Sequence, residues 1–228
     1  MALIAVNLQA VRSRIARAAQ AAQRHPGDIA LVAVSKTFPA GHIAEAFAAG
    51  QKAFGENHVQ EAVEKITVLA ALPLEWHFIG PIQSNKTGLI SRHCGWVHSV
   101  DRENIAQRLN AARPYGTPPL NVCIQVNVSG EAAKSGVAPG EEARLADAIA
   151  RLPRLELRGL MAIPEPTTDA TLQRRRFALL RELKDGLAAR GHALDTLSMG
   201  MSDDLEAAIM EGATMVRVGT AIFGPRTK

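Results

Sequence analysis

Cysteine is scarce: Cys94 and Cys123 are the two in 228 residues. They form no C-x-x-C pair and no zinc-ligand spacing, so neither a disulfide framework nor a thiolate metal centre is expected, and a reduced cytoplasmic protein is the default. The seven histidines make no H-E-x-x-H or other tight ligand spacing, which argues against a metal. No apolar run approaches the ~18 residues of a membrane-spanning helix. The start, Met1-Ala2-Leu3-Ile4, lacks the basic segment and apolar core of a secretory signal. Aromatic residues make up only 4%. The clearest basic cluster, Arg174-Arg175-Arg176, precedes Phe177, Leu179, Leu180 and Leu183 at helical spacing, with no aromatics interleaved. It reads as the wet face of a helix rather than a nucleic-acid patch, and the net charge of +4 is modest.

What the chain does have is alternation. Its hydrophobic fraction of 47% is ordinary for a globular protein, its length suffices for a large core, and no linker or composition shift interrupts it, so one domain over residues 1–228 is expected. Ile4, Leu8, Val11, Ile15, Ala18 and Ala22 share one face of a leading helix that has no strand before it. After His25-Pro26-Gly27 the apolar segments alternate in type. The patterning predicts strands over 29–35, 52–55, 74–79, 96–100, 120–128, 155–163, 194–199 and 214–223. Helices are predicted between them, over 39–49, 59–72, 85–93, a segment capped by Asp101, 141–152, 172–189 and 203–211. Eight strands alternating with helices in so short a chain predict an α/β fold, a single (β/α)8 TIM-type barrel with an extra N-terminal helix. An open doubly wound sheet is the competitor, but no G-x-G-x-x-G follows the first strand.

In such a barrel the working residues follow the strands. The first strand, Leu31-Val32-Ala33-Val34-Ser35, runs into Lys36. A partly desolvated amine there favours its neutral form and can condense with an aldehyde to a Schiff base, although a lysine snorkelling from a strand end has the same sequence. Ser202, Gly219 and Thr220, after the seventh and eighth strands, suit a phosphate. Asp203 and Glu206 also have the spacing of a capping box, so Ser202 and Asp203 are open to a purely structural role. Arg217 alternates with Val216 and Val218 and so points away from them. Buried, it needs an acceptor, either a carboxylate or a ligand; facing a pyridine nitrogen, it would keep that nitrogen unprotonated. Glu56, Asn57 and His58 form a polar trio after the second strand, open to a turn role or a ligand role. His77, inside the third strand, reads as a satisfied core histidine, and His98 as either core or site.

A lysine on the first strand, an arginine on the eighth and a phosphate cradle between the seventh and eighth resemble a known family, the YggS/PROSC-like pyridoxal phosphate (PLP) homeostasis proteins, relatives of the alanine racemase N-terminal barrel. The matching segments include Ala33-Val34-Ser35-Lys36-Thr37, Phe54-Gly55-Glu56-Asn57, 76–86, Lys134-Ser135-Gly136, 158–164, 197–203 and 216–224. The resemblance implies PLP as cofactor, held as a Schiff base on Lys36, with Ser202, Gly219 and Thr220 at its phosphate, Arg217 at its ring nitrogen, and Asn57 and Ser198 nearby. It implies a carrier and buffer of PLP in the cell. Possible recipients are apo PLP-dependent enzymes, and neither nucleic acid nor membrane is a partner. A monomer is expected. Lys134 is a possible second amine for transfer, with a solvated loop lysine the plainer role.

The alternative is a PLP-dependent racemase-like enzyme. Racemisation needs acid/base groups on both faces of the substrate carbon. In alanine racemases the second is a tyrosine from an extra C-terminal β-domain; here the chain ends four residues after Gly224, so that domain is expected to be missing. The single tyrosine, Tyr115, falls in a loop expected on the far side of the barrel. Efficient racemase activity is therefore not expected, and no catalytic residue is assigned.

Overall fold

The computed structural model describes residues 3–131 and 135–225, and Lys134 lies outside them. Eight strands close into one parallel barrel in chain order, the last pairing with the first. They are β1 (Ala30–Val34), β2 (Ala53–Glu56), β3 (Glu75–Phe78), β4 (Trp96–Val100), β5 (Leu120–Gln125), β6 (Leu155–Met161), β7 (Thr196–Ser198) and β8 (Met215–Val218). The connecting helices are α2 (Ala40–Ala48), α3 (Val59–Val68), α4 (Thr87–His93), α5 (Glu103–Ala112), α6 (Glu142–Ile149), α7 (Ala170–Ala189) and α8 (Leu205–Met210). The additional N-terminal helix, α1 (Leu3–Ala21), is present, and a short α9 (Thr220–Phe223) follows β8.

The strands are short because each spans only a small, steeply tilted barrel. Two cores result. The larger lies between the outside of the barrel and the helices. The smaller fills the interior and consists of Val32, Trp96, Cys123, Met161 and Met215. The interior is completed by polar side chains, since His77, His98, Ser198 and Arg217 are all buried. Alternation explains the pairing: Trp96 and His98 share one face of β4, and Met215 and Arg217 share one face of β8.

The sequence pattern misplaces some ends. The apolar run 214–223 reads as one strand, yet β8 stops at Val218 and α9 takes over. Ile222 and Phe223 both donate their amides to the Gly219 carbonyl, so the chain coils there. A short buried run cannot be divided into strand and helix by periodicity alone. The expected capping box does not form either. Helix α8 begins at Leu205 with Asp204 before it, and Asp204 instead accepts the Met201 amide at 2.6 Å. Glu206 is drawn away to Arg14 of α1 at 2.8 Å. Arg102, not Asp101, stands at the start of α5, and Asp101 bonds the Arg102 guanidinium instead.

Helix α1 therefore does more than cover apolar surface. Arg14 also donates to the Ser202 carbonyl at 2.9 Å, and Asn7 donates to the Ile222 carbonyl at 3.0 Å. Both carbonyls belong to the segments after β7 and β8. Leu8 sits fully buried at the centre of the α1 stripe. Leu8→Ala is expected to lower the unfolding free energy by about 2–5 kcal/mol, read from the urea midpoint.

Two of the three arginines in the basic cluster on α7, Arg174 and Arg176, make ion pairs. Arg174 and Arg181 both pair with Glu211, and Arg176 pairs with Glu165. Cys94 and Cys123 are buried free thiols whose pKa values burial pushes up to about 12, which leaves them unreactive. Among the described residues, no helix is long and apolar enough to cross a membrane.

Candidate functional site

The C-terminal ends of the strands surround a cavity of about 330 Å³, at the lower end of the usual range for small-ligand sites. Its lining brings together six of the seven predicted site residues: Lys36, Asn57, Ser202, Arg217, Gly219 and Thr220. The seventh, Ser198, is fully buried and lies outside the lining. It sits beneath the cavity, where its hydroxyl receives Arg217 Nη1 at 2.6 Å.

Lys36 follows β1 and is half-buried. The residues on either side of it are held from α3. Lys65 donates to the Ser35 carbonyl at 2.8 Å and to Glu56 Oε1 at 2.7 Å. The Ser35 hydroxyl donates to the same Glu56 oxygen at 2.7 Å. On the other side, the Thr37 amide donates to Glu61 Oε1 at 2.5 Å, and Lys65 reaches that oxygen at 2.6 Å. Thr37 has φ of 70°, a left-handed conformation that a β-branched residue rarely adopts. Strain of this kind persists where surrounding bonds over-determine the backbone, and it gathers at functional sites. Glu56 and Lys65 are both buried. Desolvation pushes the Glu56 pKa up against the opposing pull of Lys65 and Ser35.

Arg217 is the central charge. Its guanidinium is buried and makes neutral contacts: Ser198 through Nη1, and the Ala162 carbonyl at 2.9 Å through Nη2. Among the described residues no carboxylate lies within ion-pair distance of it. The carboxylate partner that the sequence left open is therefore not there; Asp204 acts only at longer range. Burial lowers the Arg217 pKa to about 10, which still leaves it protonated near neutrality. A buried cation with no carboxylate in contact among the described residues leaves the cavity suited to an anion or to a hydrogen-bond acceptor.

Two glycines shape the loops that lead into the lining. A Cβ on Gly80 would lie 2.4 Å from the Asn57 carbonyl oxygen, so only glycine lets the loop after β3 close on Asn57. Gly200 turns the chain after β7 with φ of 94°. Asn57 Oδ1 is buried without a hydrogen-bond partner. An unpartnered acceptor on a residue that lines a pocket suits a donor group of a ligand.

His77 and His98 occupy the barrel interior, with Nδ1 of His77 at 2.9 Å from Nε2 of His98. His98 is wholly buried, and its pKa is pushed well below the usual range, chiefly by desolvation. His77 is only half satisfied, because its Nε2 has no partner within bonding distance. Tyr115 is 89% exposed, stacked under Arg154, and is not part of the cavity lining.

Residues 6–227 match the family model described as alanine racemase, N-terminal domain. A pyridoxal phosphate homeostasis protein of Pseudomonas aeruginosa is 62% identical over 226 residues, covering 99% of this chain and 97% of that one. The chain belongs to the pyridoxal phosphate homeostasis protein family. A solved structure in similar company is PipY of Synechococcus elongatus with PLP bound, 37% identical, with a TM-score of 0.84 over 97% of this chain and 100% of that one. An alanine racemase of Clostridium difficile is 16% identical with a TM-score of 0.73. The homeostasis-family chain spans 56% of that racemase and shares its barrel fold.

Proposed function

We propose that this chain binds PLP reversibly through Lys36 and serves PLP homeostasis as a carrier and buffer. The observation that carries the reading is the meeting of two nitrogen-bearing side chains in one small cavity: the half-buried Lys36 amine and a buried Arg217 with no carboxylate partner among the described residues. PLP supplies an aldehyde that bonds reversibly to amines, a ring nitrogen that accepts a hydrogen bond, and a phosphate that needs an anion site. The residues present fit each part. Lys36 is the amine. Arg217, a donor only, suits the ring nitrogen. The Ser202 and Thr220 hydroxyls and the Gly219 backbone line the same cavity and suit the phosphate. Asn57 offers its unpartnered Oδ1 to a donor on the ligand. Ser198 acts from below, on Arg217 rather than on the ligand.

The names of the relatives and the PLP-bound PipY structure support the same reading. The racemase alternative is weaker on the geometry, because the titratable side chains lining the cavity are Lys36, Asp203 and Arg217 and no tyrosine is among them. We further infer a cytoplasmic monomer that hands PLP to apo-enzymes; the two unreactive buried thiols support a reducing compartment.

Borohydride reduction tests the proposal. The purified protein is expected to be yellow, and reduction is expected to fix the cofactor's mass on the peptide containing Lys36. A colourless protein that takes up no added PLP would overturn it.

A further inference from the structure

A line of polar side chains crosses the barrel interior from the cavity to the opposite rim. Arg217 Nη1 meets Ser198 Oγ at 2.6 Å. Ser198 Oγ meets His98 Nδ1 at 2.7 Å. His98 Nε2 meets His77 Nδ1 at 2.9 Å. His77 Nε2, buried and without a bonded partner, lies 3.5 Å from Oε1 of Glu75, whose side chain is about half exposed at the start of β3.

The two ends set one consistent direction for the bonds between them. A guanidinium only donates, so Ser198 Oγ accepts from Arg217. The buried hydroxyl has one proton to give, and of its two partners only the imidazole can take it. His98 Nδ1 is thus an acceptor. Held neutral by burial, His98 carries its single proton on Nε2. It gives that proton to His77 Nδ1, which leaves the His77 proton on Nε2, aimed at a carboxylate that only accepts. Trp96 stacks on the His77 ring with a centroid separation of 5.5 Å and an interplanar angle of 11°, holding that direction. At 3.5 Å the last contact is long, and closing it by about half an ångström through a rotation of the exposed Glu75 makes it a full bond. A buried N–H left without a partner costs free energy comparable to the bond it lacks.

We infer that Glu75 is a positioning residue for Arg217: as terminal acceptor of a one-way chain through His77 and His98, it lets Ser198 give its proton to His98 and so holds that hydroxyl oxygen in place as the acceptor for the guanidinium. The inference rests on the PLP reading of the cavity for its consequence, but not for its geometry. Without the Glu75 carboxylate the His77 proton has no fixed site and the donor order can reverse; Ser198 Oγ then accepts from both Arg217 and His98, and its own proton loses the partner that held the hydroxyl in place. The guanidinium then keeps the Ala162 carbonyl as its one fixed anchor.

The test is tautomer-resolved ¹⁵N NMR of the histidines in the full chain, paired with PLP titration. Wild type should show both His77 and His98 protonated on Nε2. Glu75→Ala should leave His98 buried and neutral but average the two nitrogens of both histidines, because a proton on His77 Nδ1 obliges His98 Nε2 to accept it. It should weaken PLP binding about two- to tenfold, the scale of one hydrogen bond's orientation. Borohydride should still fix the cofactor on Lys36 in that variant. Glu75→Gln retains a carbonyl acceptor and should restore both the tautomer pattern and the affinity, which a loss of surface packing would not explain. In the wild type a proton on Nδ1 of either histidine, or a Glu75→Ala protein unchanged in both readouts, overturns the inference. Correct tautomers in a protein that takes up no PLP support the relay and overturn the cofactor reading instead. PLP uptake with the wrong tautomers does the reverse.

Discussion

Lys36→Ala is expected to give a folded, colourless protein that loses added PLP on a desalting column. The argument separates two contributions to retention. One is the bond between the Lys36 amine and the aldehyde, which the substitution removes entirely. The other is non-covalent: Arg217, the Ser202 and Thr220 hydroxyls and the Gly219 backbone all remain in the cavity lining. A phosphate-sized anion site open to water gives only part of the affinity, so the loss should be about a hundredfold or more, or ~2.7 kcal/mol. The fold should be spared. Lys36 lies beyond the end of β1, and the braces on Ser35 and Thr37 come from Lys65, Glu56 and Glu61 rather than from Lys36 itself. Thermal unfolding gives the cleanest readout. A ligand that binds only the native state stabilises it by about 2.7 kcal/mol at a hundred times its Kd. Wild type should therefore show a rise in Tm on adding PLP, and Lys36→Ala should show little or none at the same concentration. Equal shifts in the two proteins would mean that Lys36 does not anchor the cofactor.

The parts of this arrangement that a linear reading could find are those set by one element at a time. Lys36 is legible as a candidate because an apolar strand leads into it, although that stretch alone reads equally as an ordinary strand-end lysine. Arg217 was visible because alternation alone turns it away from Val216 and Val218. Ser202, Gly219 and Thr220 follow from counting eight strands and looking after the last two. Relations among distant strands were not legible. Ser198 could be placed near the site from the family likeness, but its position beneath Arg217 depends on the closed barrel bringing β4, β7 and β8 together. The same holds for the His77–His98 contact, where two histidines in separate strands each look like ordinary core residues. The Glu56–Lys65 pair spans the end of β2 and the middle of α3, a separation that no local pattern marks. The errors have the opposite origin. Local signals for Asp203 and Asp101 as helix caps are real, but other partners outcompete them: Glu206 goes to Arg14 of the distant α1, and Asp101 to the neighbouring Arg102.

The largest stability effect should come from Lys65→Met. Methionine keeps the length and apolar stem but removes the charge, and Glu56 then loses its only ion-pair partner among the described residues. Its side chain is 1% exposed. Breaking a buried pair by removing one partner costs about 3–5 kcal/mol, because the remaining charge is buried uncompensated. The Ser35 carbonyl loses its Lys65 donor as well. The cost should depend on pH in a definite direction. Burial already raises the Glu56 pKa in the native protein, with the Lys65 hydrogen bond the largest opposing cause. Without Lys65 it rises further above the unfolded value of about 4.3. Below that unfolded value Glu56 is protonated in both states and contributes no penalty. As pH rises from there to the folded pKa, the unfolded chain ionises while the folded one stays protonated. Stability then falls by about 1.4 kcal/mol per pH unit, and it levels off above the folded pKa. Lys65→Met should therefore be least destabilised near the acid end and most destabilised at pH 8, as read by urea midpoints. The double change Lys65→Met with Glu56→Gln should flatten that profile, since no titrating group remains at the site. A single variant whose deficit is the same at both ends of the range would show that Glu56 is not the stranded charge, and that Lys65 acts mainly through the Ser35 carbonyl.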